Sequence, residues 1–139
     1  MKDFSVNLET VSSVHCLIVR FVRAREQTVR ADGLEPLQYQ FLALIGPHSN
    51  GKRPNISALA HQLGMHHHSA VELVDRLERR GLLKRIRGKN DRRNVFLHVT
   101  PSGKKLLQRL LLKEHAQVCQ FAPELLRGLR GLLKAADKE

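Results

Sequence analysis

The fold of this chain is decided by residues 66–81, which read HHHSAVELVDRLERRG. Its apolar residues recur at i, i+3, i+4 and i+7, the spacing of one buried helix face; they are Ala70, Leu73, Val74 and Leu77. The opposite face is polar, and its C-terminal half is basic. Gly81 lies where a helix C-cap is expected, after two arginines that suit the negative end of the helix dipole. This pattern also fits a solvated surface helix, so the flanking residues must decide its role.

A second short helix precedes this one across a tight turn. Asn55 is a good N-cap for a helix over residues 56–63, whose apolar positions share one face, and Gly64 ends that helix. Two short helices joined by a tight turn that contains glycine form a helix-turn-helix.

After Gly81 the hydrophobic period changes from that of a helix to that of a strand. Residues 82–87, LLKRIR, and 95–100, VFLHVT, alternate as β-strands do. Residues 88–94 between them form a polar turn with a basic tip. A helix-turn-helix followed at once by a basic hairpin predicts a winged helix.

The flanking segments predict further helices. Residues from about 6 to 30 and from 36 to 45 have helical spacing, and Pro36 fits a first turn. Thr100 and Pro101 start a helix that runs to about Phe121, and Pro123 breaks it before a last helix. We therefore expect four helices, a hairpin and two more helices.

The predicted fold is mainly α with a small β-hairpin, a winged helix-turn-helix with N- and C-terminal dimerisation helices. Residues 1–33 are the N-terminal dimerisation helix, 34–103 the DNA-binding lobe and 104–139 the C-terminal dimerisation helices. Short helices at opposite ends of the chain carry excess apolar surface, which predicts a homodimer. Those positions are Val11, Val14, Ile18, Phe21, Leu125, Leu129 and Leu132.

The charge balance predicts a polyanionic partner. Lys and Arg total 24 against 13 Asp and Glu, a formal charge of +11. Nucleic acid is the commonest such partner, and the basic residues concentrate between Arg76 and Lys105, where a winged helix meets DNA. Anionic membrane is the alternative, but no apolar run approaches the roughly 18 residues of a spanning helix. We expect double-stranded DNA as partner and neither a membrane segment nor a signal peptide.

The counts of cysteine and aromatic residues argue against several classes of protein. The two cysteines, Cys16 and Cys119, are far apart and form no CxxC motif, which argues against a zinc ribbon or a disulfide scaffold and favours the cytoplasm. The chain has no Trp and one Tyr, so stacking on single strands is poorly supported. We see no nucleophile–base pair, paired carboxylates or glycine-rich phosphate loop, so we expect no enzyme and no cofactor. A sequence-tolerant architectural or RNA-binding protein remains the alternative.

Residues 73–103, LVDRLERRGLLKRIRGKNDRRNVFLHVTPSG, resemble the signature of the MarR family of bacterial transcription regulators. The wing motif is Asp91-Arg92-Arg93 and the next helix starts at Thr100-Pro101-Ser102-Gly103. The resemblance extends through ISALAHQLGM, residues 56–65, and more weakly through LQYQFLALI, residues 37–45. It implies a homodimeric winged helix without enzyme activity, whose recognition helix enters the major groove and whose wing reaches the adjacent minor groove. We expect the regulator to be a repressor. In many members a small aromatic or phenolic ligand, or an oxidant, releases the DNA.

The resemblance and the helix positions give the candidate DNA contacts. On the recognition helix they are His66, His67, His68, Ser69, Glu72 and Arg76, and on the wing Lys89, Asp91, Arg92 and Arg93. Arg93 is expected in the minor groove, with Asp91 bracing it or the turn; a solvated basic tip is the alternative. Glu72 either accepts from cytosine, is repelled by phosphate, or pairs with Arg76. The three histidines depart from the family's usual residues, so the operator sequence cannot be transferred from a relative.

The triple histidine does not predict a metal site. Consecutive helical positions diverge by about 100°, so one ion cannot bind all three side chains of a single helix. A site would need distant partners such as His48, His61 or a dimer mate, and we expect none.

For regulation, the resemblance places an effector cavity between the dimer helices and the DNA-binding lobe. Its apolar candidates are Phe21, Leu37, Phe41, Leu107 and Leu111, and His15 and Arg25 could meet an anionic group. Peroxide-sensing members instead use a cysteine in the first helix, where Cys16 lies, supported by tyrosines. Pro36 or Leu37 stands where such a tyrosine is needed, and a buried apolar thiol is inert. We expect a ligand, with redox sensing at Cys16 as the alternative.

Overall fold

The computed structural model describes residues 4–46, 54–91, 93 and 95–137, with side chains from residue 8 onward. The described residues form five helices and one hairpin. Their bounds are α1 Phe4–Ala31, α2 Pro36–Ile45, α3 Ile56–Gln62, α4 His67–Arg79, β1 Leu83–Arg87, β2 Val95–Val99 and α5 Pro101–Ala136. The strands pair antiparallel, from Leu83 opposite Val99 to Arg87 opposite Val95. The predicted mainly helical winged fold is confirmed.

The prediction of two C-terminal helices is wrong, because α5 continues through Pro123. A proline inside a helix removes one backbone hydrogen bond and costs about 3 kcal/mol. Here both sides of Pro123 pack on α1: the rings of Phe121 and Phe21 lie 5.6 Å apart, and Gly128 lies against Val14. Packing on α1 at both sides of Pro123 therefore keeps α5 in one piece. We call this pair of helices, α1 and α5, the arm.

The hydrophobic core lies in the lobe, residues 34–103. The end of α1 and the start of α5 complete it with Val29, Leu106 and Leu110. The predicted apolar face of α4 is buried, with Ala70, Val74 and Leu77 fully inaccessible. It packs with side chains of α2, α3, the hairpin and α5, including Phe41, Leu42, Leu59, Leu83, Leu97 and Leu110. The back of α4 is thus fixed, and its polar face is left at the surface.

The start of α5 is joined to the end of α4. Thr100 is the buried N-cap of α5: its Oγ1 accepts from the Gly103 backbone N–H at 3.1 Å and donates to the Gly81 carbonyl at 2.6 Å. The Thr100 N–H donates to the Leu82 carbonyl at 3.1 Å. This junction sets the direction in which the arm leaves the winged helix.

A second junction ties the end of α1 to both α5 and α4. Asp32 accepts from Lys113 Nζ at 3.0 Å and lies 3.6 Å from Arg109, and the hydrogen bond from Lys113 lowers the pKa of Asp32. The next carbonyl, that of Gly33, accepts from Arg80 at 2.6 Å. Gly33 has φ +84°, which favours glycine in this turn. Within the residues described, no helix is long and apolar enough to cross a bilayer.

Candidate nucleic-acid interface

The outward face of α4 begins with three exposed histidines. All six candidates on this helix, from His66 to Arg76, are exposed, as its buried back requires. His66 occupies the N-cap position but its side chain makes no capping hydrogen bond, whereas Asn55 caps α3 and Thr100 caps α5. Glu72 lies 3.4 Å from His68 Nε2, and this contact takes the place of the pairing with Arg76 that the sequence allowed.

Ser57 joins the two helices of the helix-turn-helix, and the sequence analysis missed it. Its Oγ lies 3.3 Å from Nδ1 of His67, so the first helix orients a side chain at the start of the second. No signal in the sequence gives this role, since a serine in the first turn of α3 is an ordinary surface residue and its partner depends on how the two helices cross.

The wing turn is braced by its own aspartate. Asp91 Oδ1 accepts from the Arg93 backbone N–H at 3.0 Å, a local hydrogen bond that aspartate often makes in turns. Lys89, Asp91 and Arg93 are exposed at the tip. The fourth candidate of the wing, Arg92, lies outside the described residues.

An arginine clamp joins the wing to the recognition helix. Arg85, on β1, donates to Asp75 at 2.6 Å and to Glu78 at 2.8 Å, and its backbone N–H donates to Glu78 at 3.0 Å. Burial lowers the pKa of Arg85, but the hydrogen bonds to Asp75 and Glu78 outweigh it and raise that pKa. The clamp orients α4 against the wing and offsets part of the negative charge of two carboxylates on a helix whose arginines, Arg76 and Arg79, stay exposed.

In the sequence, Asp75 and Glu78 are two of the few acidic residues in a basic stretch. Their spacing puts them on one side of α4. That Arg85 meets both is decided by the turn at Gly81, which brings β1 back along the helix.

A cavity of about 390 Å³ lies between α2 and α5. Its lining is mostly apolar and consists of Tyr39, Ala43, Gly46, Lys104, Leu107, Gln108 and Leu111. Of the seven predicted effector residues, only Leu107 and Leu111 line it. Phe41 is buried in the core, Phe21 packs on Phe121, and His15 and Leu37 are exposed.

The remaining effector candidate, Arg25, belongs to a polar cluster beside this cavity. Its guanidinium pairs with Glu114 and lies 5.3 Å above the ring of Tyr39, and Glu114 also accepts from the Tyr39 hydroxyl. Burial and then the bond to Glu114 raise the pKa of Tyr39, so the phenol stays protonated. This cluster links α1, α2 and α5 across 75 and 89 residues of sequence.

Cys16 is exposed on the surface of the protomer, as is Cys119, and both thiols are free. The prediction of a buried Cys16 is wrong, because α1 turns Val14 inward and a residue two positions later points nearly the opposite way. In the part of the chain described, no three His, Cys, Asp or Glu side chains are grouped as metal ligands would be. His48, one of the partners considered, is not among the described residues.

Comparisons with known proteins identify relatives of this chain. The model of the MarR family matches residues 32–94. A Thauera aromatica protein assigned to transcriptional regulation of the hcr operon is 31% identical over 84% of this chain and 68% of its own length. The transcriptional repressor MprA of Escherichia coli is 29% identical over 69% of this chain and 54% of its own length. The chain thus spans about two thirds of the first relative and about half of the second.

A solved structure shares the fold over nearly the full chain. CouR from Rhodococcus jostii RHA1, bound to p-coumaroyl-CoA, superimposes with a TM-score of 0.68 at 23% identity and covers 97% of this chain and 92% of its own. At that identity the likeness establishes the winged fold with its terminal helices.

Proposed function

This chain belongs to the MarR family of DNA-binding transcription regulators, and from that premise we propose that it is a bacterial repressor acting as a homodimer on a near-palindromic operator. Its relatives and its fold are those of regulators and not of enzymes. The repressor role is supported by the similarity to MprA, and we place its action in the cytoplasm.

The observation that carries the proposal is the exposed face of α4, held at a fixed angle to a basic wing by Arg85. A helix of this kind fits the major groove, and Ser69, His68 and Glu72 lie where base edges would be read. Arg93 at the wing tip suits the narrow minor groove of A·T-rich DNA. Lys89, Arg92 and Arg76 are proposed phosphate contacts.

The homodimer is proposed from apolar surface on the arm. Several large apolar side chains of α1 and α5 are 40% to 66% exposed in the single chain, more than a soluble protomer normally leaves uncovered. They are Leu8, Val11, Ile18, Val22, Leu126, Leu129 and Leu133. Val14 does not belong to this surface, because it packs on Gly128 within the protomer.

Residues 1–33 and 104–139 are accordingly the proposed dimerisation segments, and 34–103 the DNA-binding segment. The boundary at residue 103 falls in the first turn of α5, so this helix belongs to both the DNA-binding segment and a dimerisation segment. A change in the angle between two arms would therefore move the two recognition helices.

We expect sedimentation at micromolar concentration to give twice the mass of the chain. Sequences selected from random DNA should then be near-palindromes whose half-sites lie about one helical turn of DNA apart, since a two-fold dimer presents two equivalent recognition helices. Leu126→Asp combined with Leu129→Asp should yield a monomer that still melts cooperatively. A wild-type chain that sediments as a monomer, or selected sites without symmetry, would contradict the dimer.

A small aromatic effector is proposed for the cavity between α2 and α5. Its apolar wall, with Leu107 and Leu111, could hold a ring, and Lys104 at its edge could pair with a carboxylate. CouR binds an aromatic acyl-CoA, which supports this class of ligand. The ligand must favour the spacing of recognition helices that does not fit the operator, or it changes nothing.

Salicylate-like aromatic acids are expected to release the operator complex, and Lys104→Ala should raise the concentration required by about tenfold, the worth of one charge-assisted hydrogen bond. Titrations followed by fluorescence anisotropy, with the DNA affinity of the variant measured first, would check this. A parallel titration uses organic hydroperoxide, because Cys16 is exposed. Release by peroxide that is lost in Cys16→Ser, without response to any aromatic acid, would make the protein a redox sensor.

A further inference from the structure

A polar cleft separates the recognition helix from the wing. It has a volume of about 380 Å³ and lies between the start of α3, the start of α4 and the wing. We call it the wing cleft; its lining residues are Asn55, Ile56, Ser57, His67, Arg93, Val95 and Phe96. Among the described residues that line it, none is acidic, and the polar ones carry hydrogen-bond donors.

We propose that the wing cleft binds one phosphodiester of the DNA backbone, and this inference rests on the proposed binding of duplex DNA. When a recognition helix occupies the major groove and a wing the adjacent minor groove, one strand of the backbone must pass between them. The wing cleft is the space between those two elements. It meets that strand with His67, held by Ser57, on one side and with the wing at Arg93 on the other.

His67 is oriented for this role by Ser57. When the Ser57 hydroxyl donates to Nδ1, at 3.3 Å, the hydrogen of the neutral ring is carried by Nε2, which can then donate to a phosphate oxygen. We place the hydrogen on Nε2 as part of this proposal, since a group bonded to one ring nitrogen of a histidine commonly sets the role of the other. Ser57 is therefore a positioning residue and His67 a contacting one.

The other polar lining residues are held by bonds that leave their donors available. Asn55 uses Oδ1 to accept from the Ala58 backbone N–H at 2.8 Å, so its amide nitrogen remains to donate. Asp91 holds the backbone of Arg93 at 3.0 Å and not its guanidinium. Donors to the phosphodiester therefore come from α3 and α4, and the Arg93 guanidinium on the other side is left for the minor groove.

This assignment separates His67 from its neighbours on α4. A phosphate contact fixes the register of the protein on the duplex but carries no sequence information, whereas base contacts do. Loss of His67 should therefore weaken binding to every sequence, while loss of Ser69 or His68 should change which sequence is preferred.

The test compares Ser57→Ala and His67→Gln with two matched controls on the arm, Ser12→Ala and His115→Gln. Both Ser12 and His115 are exposed, and neither lines the wing cleft or is among the apolar side chains proposed for the dimer contact. Sedimentation verifies that both control variants keep the wild-type oligomeric state. Affinity is measured at fixed salt for a duplex chosen by selection from random DNA and for a duplex of scrambled sequence. Each cleft variant should lose roughly tenfold on both duplexes, the worth of a hydrogen bond to a charged group, and the controls should match wild type. Thermal melting verifies that all four variants fold.

Single methylphosphonate linkages, which remove the charge of one phosphate, then locate the contact. In wild type several positions per half-site should weaken binding, and at one of them the loss should not add to that of His67→Gln, because the same contact is removed twice. If wild type binds both duplexes and the cleft variants equal it, or if the losses add at every position, the wing cleft holds no phosphodiester. If wild type binds neither duplex, the DNA-binding function fails and the inference falls with it.

Discussion

Gly103→Ala is expected to lower the free energy of unfolding by about 3 kcal/mol, at the upper end of the range for an overpacked core position. A Cβ at residue 103 would lie 2.3 Å from the Leu82 carbonyl oxygen and 2.7 Å from Val99 Cγ1. Leu82 cannot retreat freely, because the same carbonyl accepts from the Thr100 backbone N–H at 3.1 Å. The first turn of α5 would therefore move away from the hairpin, and the arm would move with it.

Denaturant unfolding followed by circular dichroism measures this effect, and Gly131→Ala in the same helix is the matched control. A Cβ at residue 131 would meet only Thr10 Cγ2, at 3.9 Å, an ordinary contact. Because alanine favours helix over glycine by about 1 kcal/mol, the control should be as stable as wild type or more so. Equal stability of the two variants would show that α5 does not rest on the Leu82 carbonyl as closely as described.

Arg85→Ala is expected to weaken operator binding by about 2 kcal/mol, roughly thirtyfold. The substitution breaks the clamp between β1 and α4 and leaves the Asp75 and Glu78 carboxylates unpaired on a helix that approaches phosphates. Stability should fall by only about 1 kcal/mol, because both carboxylates are more than 40% exposed and solvent screens the pairs. The loss should therefore be larger in DNA binding than in folding.

Two further variants separate the causes. Arg87→Ala removes a cation from the same strand without releasing a carboxylate, and its loss of affinity should be smaller. In the Arg85→Ala background, Asp75→Asn with Glu78→Gln should recover part of the affinity, because the repulsion is removed while the clamp stays broken. No recovery in the triple variant would mean that the geometry of the clamp matters and its charge neutralisation does not.

Much of the lobe follows from the sequence, because the forces that form its elements act over short distances. The i, i+3, i+4, i+7 spacing of Ala70, Leu73, Val74 and Leu77 predicts α4 and its buried face, and both are found. Asn55 and Thr100 were expected as N-caps, and each accepts a backbone hydrogen bond three residues on. The alternation of the hairpin is equally local, since side chains of a strand point to opposite faces in turn.

The site is predictable only in part. Its residues on α4 and on the wing could be named from position alone, because an exposed helix face and a hairpin tip need no partner to be recognised. Ser57 and Arg85 could not, since each acquires its role from a side chain on another element. A serine at the start of a helix and an arginine in a strand are otherwise unremarkable surface residues.

Tertiary structure alone decided the features in which two distant segments meet. Pro123 lies inside a helix although proline normally ends one, because packing of α5 on α1 on both sides of it outweighs one lost hydrogen bond. Arg25 was assigned to an effector, yet it meets Glu114, 89 residues away, and Cys16 is exposed because the rotation of α1 is set by α5. By itself the sequence determines the short helices and the strands of the lobe and the buried face of α4, since those depend on neighbours within a few residues. Which charged side chains are left for DNA or a ligand depends on how the arm and lobe pack, and periodicity holds no information about contacts between residues so far apart.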